Sequence, residues 1–255
     1  MRIIRVRPFP TCLFLLLLLL GGFLAEKLRQ TLQQDLEAMA PALFGKLILI
    51  DAGHGGFDPG VLGTAGSREA EINLSVAKKL EEYCMQGGMT VLMSRSGDMA
   101  LAGSKRADLE ARVLLAETVD LFISLHCNSY LGSSLQQGAQ VFYRQDNAAA
   151  QLLAEGIQHR LRQELGNTER SALPHPNSYL LKQIQAPAVI AELGFLSNPQ
   201  EEALLQDESY QWKIAWAIYQ AVNDFFLLEA ANGDPMENPP AGGNLEKTLP
   251  LRELQ

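Results

Sequence analysis

The feature that most constrains the fold is a repeated switch between two apolar periods. Short apolar runs at Leu47 to Ile50, Thr90 to Met93, Asp120 to Leu125, Gln140 to Tyr143, Ser178 to Leu181 and Ala188 to Ala191 read as strands. Between them lie segments of helical spacing. Glu69 to Met85 places Ile72, Val76, Leu80 and Tyr83 on one face. Leu109 to Glu117 and Ala148 to Gln163 repeat the pattern, and Tyr210 to Leu228 closes it as an amphipathic helix. Strands alternating with helices predict an α/β fold: a single mostly parallel or mixed twisted sheet flanked by helices. A chain of 255 residues holds one such domain with short extensions.

Both ends depart from this texture. Arg2, Arg5 and Arg7 precede an apolar stretch from Thr11 to Ala25, the charge and hydropathy pattern of an export signal. Cleavage after Ala25 would put bulky Phe23 at the −3 position, so an uncleaved signal-anchor over residues 1–25 is favoured over a cleaved peptide. The arginines orient the N-terminus to the cytoplasm, and either form carries the body outside it. Residues 26–44 read as a polar spacer and 45–229 as the folded domain. Residues 230–255 are dense in proline and glycine without apolar periodicity and read as a disordered tail. The first 25 residues hold three arginines and no acid, so the body is three units more acidic than the net −8. With no basic stripe, nucleic acid is excluded as a partner class. Of three cysteines, Cys84 and Cys127 lie in the body without CxxC spacing, and they read as buried thiols.

The chemistry converges on strand ends. His54 follows the first strand within DAGHGGFDPG, His126 closes DLFISLH, Glu192 closes AVIAE, and Glu69 opens the first long helix. Ligands bind at such positions in α/β folds. Two imidazoles and a carboxylate can hold zinc and leave a position open for water. A second carboxylate off the metal can then act as general base. Glu192 stands out because an ionised carboxylate at the end of an apolar strand must be paired, ligated or catalytic. The glycine loop has a nucleotide-binding rival, but it lacks both GxGxxG and GxxxxGK[ST]: Asp58 stands where a third glycine is needed.

The motifs LIDAGHGGFDPG, EAEINL, VLMSRSGD, LEARVLLA, LFISLHCNS, GAQVFY and PAVIAELGFLSNPQEEALL occur in order between Lys46 and Phe226. In this the chain resembles the zinc-dependent N-acetylmuramoyl-L-alanine amidases of the type 3 catalytic family. The resemblance implies that His54, Glu69 and His126 are zinc ligands and that Glu192 is catalytic. Glu71 competes with Glu69 by proximity, but Asn73 and Leu74 set the register on Glu69. Ala70 and Cys127 depart from the family pattern without removing a ligand, and strand alternation turns Cys127 to the opposite face from His126. Arg95 and Arg112 match family arginines, with ion pairing and substrate contact both open as roles. His159 reads as solvent-facing, and His175 as a residue that could border the cleft.

A membrane segment, a single catalytic domain and the GAQVFY strand are similar to the germination-specific, spore-cortex branch of the family. That likeness implies hydrolysis of the bond between N-acetylmuramic acid and L-alanine on the route to muramic-δ-lactam. The implied partners are peptidoglycan glycan strands with peptide stems and a membrane, with an accessory protein left open. Two rivals remain at this level: a zinc peptidase or carboxypeptidase on a similar site, and a non-catalytic amidase-like binding or activator domain.

Overall fold

The computed structural model describes residues 9–233, apart from the side chains of residues 9–12 and 31–41. The leading arginines and residues 234–255 lie outside the described residues. The N-terminal apolar run and the spacer form one helix, α1 (Phe9–Leu43), continuing through Pro41. Its residues Leu13 to Leu20 are all exposed. Among the described residues, no helix is long and apolar enough to cross a membrane. Residues 1–42 and 43–255 are separate compact units.

In the second unit the elements run β1 (Leu47–Ala52), α2 (Glu69–Gln86), β2 (Thr90–Met93), α3 (Lys105–Leu115), β3 (Leu121–Asn128) and β4 (Gln140–Tyr143). There follow α4 (Ala148–Leu165), β5 (Leu173–Pro174), α5 (Tyr179–Gln183), β6 (Ala188–Phe195), α6 (Pro199–Gln206) and α7 (Glu208–Asn232). The strands form one mixed sheet in the order β2-β1-β3-β6-β4-β5, in which β4 is antiparallel to β6 and the other pairings are parallel. The expected α/β architecture is therefore the one observed.

Strand alternation sends each residue set to its own layer. Ile48, Ile50, Leu121 and Ile123 pack with Val76, Leu80, Leu153, Ile157, Ile214 and Phe226, so α2, α4 and α7 cover one face. Leu49 and Phe122 pack with Leu180, Leu181 and Ile184, so α5 lies on the other, next to Ala116 and Val119 at the end of α3. A strand covered on both faces reads as an unbroken apolar run, which is the texture of LILI in β1.

One expectation is overturned. Ser178 to Leu181 is not a strand: the Ser178 hydroxyl accepts from the Leu181 amide and caps α5. The apolar side chains Leu180, Leu181 and Ile184 have helical spacing and are buried together. Elsewhere the boundaries move. Helix α3 begins at Lys105, capped by Ser104, and α7 runs to Asn232 and so takes in the first residues assigned to the tail. Strands β3 and β6 run beyond the expected ends, which puts His126 and Glu192 inside paired strands.

Helix α6 had no apolar stripe to announce it, and what it contributes is carboxylates. Glu202, 1% exposed, accepts from the Ala65 and Ser67 amides and from the Thr64 and Ser67 hydroxyls. Its neighbour Glu201 accepts from the Gly138 and Phe195 amides. The helix thus ties the loop before α2 and the loop before β4 to one place. Burial alone would raise the Glu202 carboxyl, but these donors hold it down at about 2, against an ordinary 4.5. Its stabilisation is therefore complete above pH 4.5 and disappears as pH falls through about 2. Glu202→Ala is expected to cost about 2–4 kcal/mol in urea denaturation at pH 7, because several buried donors lose a charged acceptor together; a loss below about 0.5 kcal/mol would contradict this.

Candidate active site

Beyond Ala52 the chain leaves the sheet, and the carbonyls of residues 52–54 need other partners. Two buried arginines supply them. Arg95 donates to the Ala52, Gly53 and Ala70 carbonyls at 2.8, 3.0 and 2.7 Å. Arg112 donates to Ala52 at 3.1 Å and to His54 at 2.9 Å. Arg112 is itself held by Asp108 and by Asp51, which is fully buried on β1 and also accepts from the Ser124 hydroxyl at 2.7 Å. Both arginines are 2% exposed, so their work is to hold the loop.

The loop so held presents His54 at φ 63°, a left-handed conformation that costs a non-glycine residue about 1–2 kcal/mol. Glycine is required on either side for space. A Cβ on Gly53 would lie 2.4 Å from the His126 ring. One on Gly60, at φ +69°, would lie 2.5 Å from Glu69 Oε2. These contacts explain the glycine density without any phosphate. The loop amides are also spent internally: Gly55 bonds Asp58, Gly56 bonds Asp98 and Gly60 bonds Asp58.

Three of the four candidate residues meet at one point. Glu69 Oε1 lies 3.1 Å from His54 Nε2 and 3.0 Å from His126 Nδ1. The rings are edge-on with centroids 4.8 Å apart, and the three ligand atoms lie within 4.8 Å of one another. Glu69, the first residue of α2, is 2% exposed and accepts from the Val61 and Cys127 amides at 2.8 and 3.0 Å. Burial would raise its carboxyl, yet the bonds to His126 and His54 hold it well below the usual range. His126 moves the other way: burial pulls it down, but Glu69 and the charge of Glu192 carry it above its ordinary value. Glu71 points elsewhere, exposed and paired with Arg68.

Glu192 is the cross-strand neighbour of His126 in the β3–β6 pairing, with strands about 4.8 Å apart. Burial pushes its carboxyl up to about 7. Among the described residues its buried Oε2 has no hydrogen-bond partner. A buried oxygen left without a partner is costly, and the active-site end of a strand is where such a cost is tolerated.

Sequence reasoning missed Asp58, which it noted only as a break in a nucleotide motif. Its Oδ2 lies 3.0 Å from His54 Nδ1, which turns Nε2 towards Glu69. The signal was available: a carboxylate four residues after a histidine in the same tight loop. Asn73 was also passed over as a support, and its amide reaches Glu69 and the Gly53 carbonyl at 3.4 and 3.3 Å. Cys127 faces the opposite side, buried in the core against Asn73. Cys84 and Cys127 are free, buried thiols. His159 is exposed on α4, and His175 stacks edge-on against Phe142 at 5.4 Å, so neither joins the cluster.

Beside the two histidines is a cleft of about 120 Å³ bordered by the glycine loop, α3 and Leu180. A larger cavity of about 370 Å³ lies between α4 and α7 and holds none of these groups, so the chemistry, not the size, locates the site. Two imidazole nitrogens and a carboxylate, converging from one loop, one strand and one helix end, suit a divalent ion that keeps an open position.

Residues 48–224 match the protein family described as N-acetylmuramoyl-L-alanine amidase. The chain is 37% identical over 205 residues to a germination-specific N-acetylmuramoyl-L-alanine amidase of Bacillus subtilis, covering 76% of this chain and 84% of that protein. It is 32% identical over 186 residues to a probable cell wall amidase, LytH, of Staphylococcus epidermidis, covering 72% of this chain and 60% of that one. Among solved structures it is similar to the CwlD amidase of Clostridioides difficile in complex with the GerS lipoprotein, at 36% identity and a TM-score of 0.68, covering 71% of this chain and 98% of that one. It is also similar to the catalytic domain of CwlV from Bacillus (Paenibacillus) polymyxa, at 33% identity and a TM-score of 0.64, covering 71% and 97%.

The buried arginine yields a stability prediction. Arg112→Ala strands the Asp51 charge and is expected to cost about 3–5 kcal/mol. Adding Asp51→Asn should recover a measurable part of that in chemical denaturation, and strictly additive losses would contradict the pairing.

Proposed function

From the fact that the chain belongs to the N-acetylmuramoyl-L-alanine amidase family, we propose that it is a zinc enzyme with His54, Glu69 and His126 as ligands and Glu192 as proton carrier. As a family member it is a peptidoglycan hydrolase that cuts the amide between N-acetylmuramic acid and L-alanine. The observation that carries the proposal is the convergence of His54 and His126 on one oxygen of Glu69, with Glu192 beside them, whose buried Oε2 has no hydrogen-bond partner among the described residues.

Zinc held there supplies Lewis-acid polarisation of the scissile carbonyl and acidifies water. The chain's own groups do the rest. Asp58 orients the His54 ring through Nδ1, and the Glu69 contacts hold both imidazoles in place for the ion that would replace them. Glu192 is poised near neutrality, so it can take a proton from the attacking water and return it to the leaving alanine amine.

Four finer readings belong with this. The catalytic unit begins at 45 and, with the end of α7, runs to Asn232, preceded by a spacer at 26–44 and followed by a tail. Residues 1–25 act as an export signal that remains as an anchor, so the enzyme works on the wall side of the membrane; the basic, then apolar, order of the sequence supports this. The setting is the spore cortex, supported by the likeness to a germination-specific amidase, with muramic-δ-lactam as the downstream product. The similar amidase solved with a lipoprotein supports an accessory partner here.

Mass spectrometry of purified glycan incubated with the zinc-loaded protein tests the activity. Free lactyl groups and peptides with a new alanine N-terminus are expected. Peptides with a new C-terminus would mean a peptidase instead. Glu192→Gln is expected to lower kcat about 10²–10⁴-fold while retaining the metal. Full activity in that variant would remove Glu192 from the mechanism. Chelation should abolish turnover, and zinc should restore it.

A further inference from the structure

The cleft beside the histidines has one charge that the loop-holding network does not use. Its walls are apolar where Phe57, Leu109 and Leu180 meet. Its carboxylates are spoken for: Asp51 and Asp108 both bind Arg112. Asp58 holds His54 Nδ1 at 3.0 Å and the Gly60 amide at 3.1 Å. Lys105, the first residue of α3, also lines the cleft, with its side chain 72% exposed and its ammonium 3.4 Å from Asp58 Oδ2. An ion pair this exposed is worth little, so the ammonium can turn to a second anion at small cost. The neighbouring cation Arg106 is already engaged with Glu110 and stacked over Tyr179.

The substrate is charged on one side only. The sugar beside the scissile amide offers hydroxyls and an acetamide, which are neutral. The carboxylates lie on the peptide side. A cation next to the site therefore selects the direction in which the substrate lies.

We infer that Lys105 is a specificity-determining residue whose ammonium receives a carboxylate of the stem peptide. The peptide then passes over the start of α3, and the apolar wall of Phe57, Leu109 and Leu180 takes the methyl groups next to the scissile bond. This rests on the amidase reading of the neighbouring histidines.

The test uses the full zinc-loaded chain and two probes, muramyl-L-alanyl-D-glutamate and the same compound with its carboxyl groups amidated. Lys105→Ala is expected to lower kcat/KM on the acid about fivefold, through KM, and to leave the amide unchanged, as suits one exposed charge contact. Lys105→Glu should lower it further, and Lys105→Arg should restore it. Equal losses on both probes, or none on either, would overturn the assignment. Equilibrium binding of both probes to the Glu192→Gln protein reads the same preference without turnover. A protein that prefers the acid in a Lys105-dependent way yet cuts neither probe would overturn the amidase reading and keep this one. Equal binding of acid and amide would overturn this one.

Discussion

One carboxylate gathers the site. Glu69 stands at the start of α2, reaches across to the glycine loop through the Val61 amide and to β3 through the Cys127 amide, and touches both imidazoles with one oxygen. Three elements distant in sequence are thus registered to about a hydrogen-bond length. An ionised group with so little exposure would be expensive alone, and the two histidines and two amides are what make it tenable. Removing its charge would leave these donors, and the Asn73 amide with them, facing one another. The site and the local fold therefore depend on the same atom.

Behind that carboxylate is a second layer whose purpose is rigidity. Arg95 and Arg112 satisfy the carbonyls where β1 leaves the sheet, and Asp51 anchors Arg112 from within the strand. The glycines leave room for a ring and a carboxylate to approach the backbone. The strained backbone of His54 persists because the surroundings hold it from several directions. Helix α6 extends the arrangement outward, since Glu201 and Glu202 fix the loops on either side. A cleft built this way binds a substrate by shape already formed, which limits the ordering cost on binding.

The sheet and four of the helices could be read from period alone, because β1, β3 and β6 each open on an unbroken apolar run and α2, α4 and α7 each carry a stripe. The misses have local causes. Strand β5 is two residues long and too short for any period. The α5 segment SYLLKQ places two apolar residues side by side, as a strand would, and only the Ser178 cap and the burial of Ile184 decide for helix. In α6, two of the buried residues are glutamates, so no apolar period marks the helix. His54, His126 and Glu192 stood out as chemistry-bearing residues at strand ends and Glu69 as one opening a helix, and the resemblance to the amidases is what implied their roles. Asp58 and Asn73 were harder to see, since a residue that orients another group has no spacing of its own. The Lys105 side chain was invisible for a plainer reason: its importance comes from which neighbouring charges are already paired, and that is known only in three dimensions.

The account centres on a zinc ion bound between His54, Glu69 and His126. A crystal structure of the zinc-loaded protein, with anomalous data collected on both sides of the zinc absorption edge, tests this directly. The account predicts one strong zinc peak at bonding distance from His54 Nε2, His126 Nδ1 and a Glu69 oxygen, with Glu192 beside it and unligated. A zinc peak elsewhere, or the three residues still bonded only to one another in fully loaded protein, would contradict it.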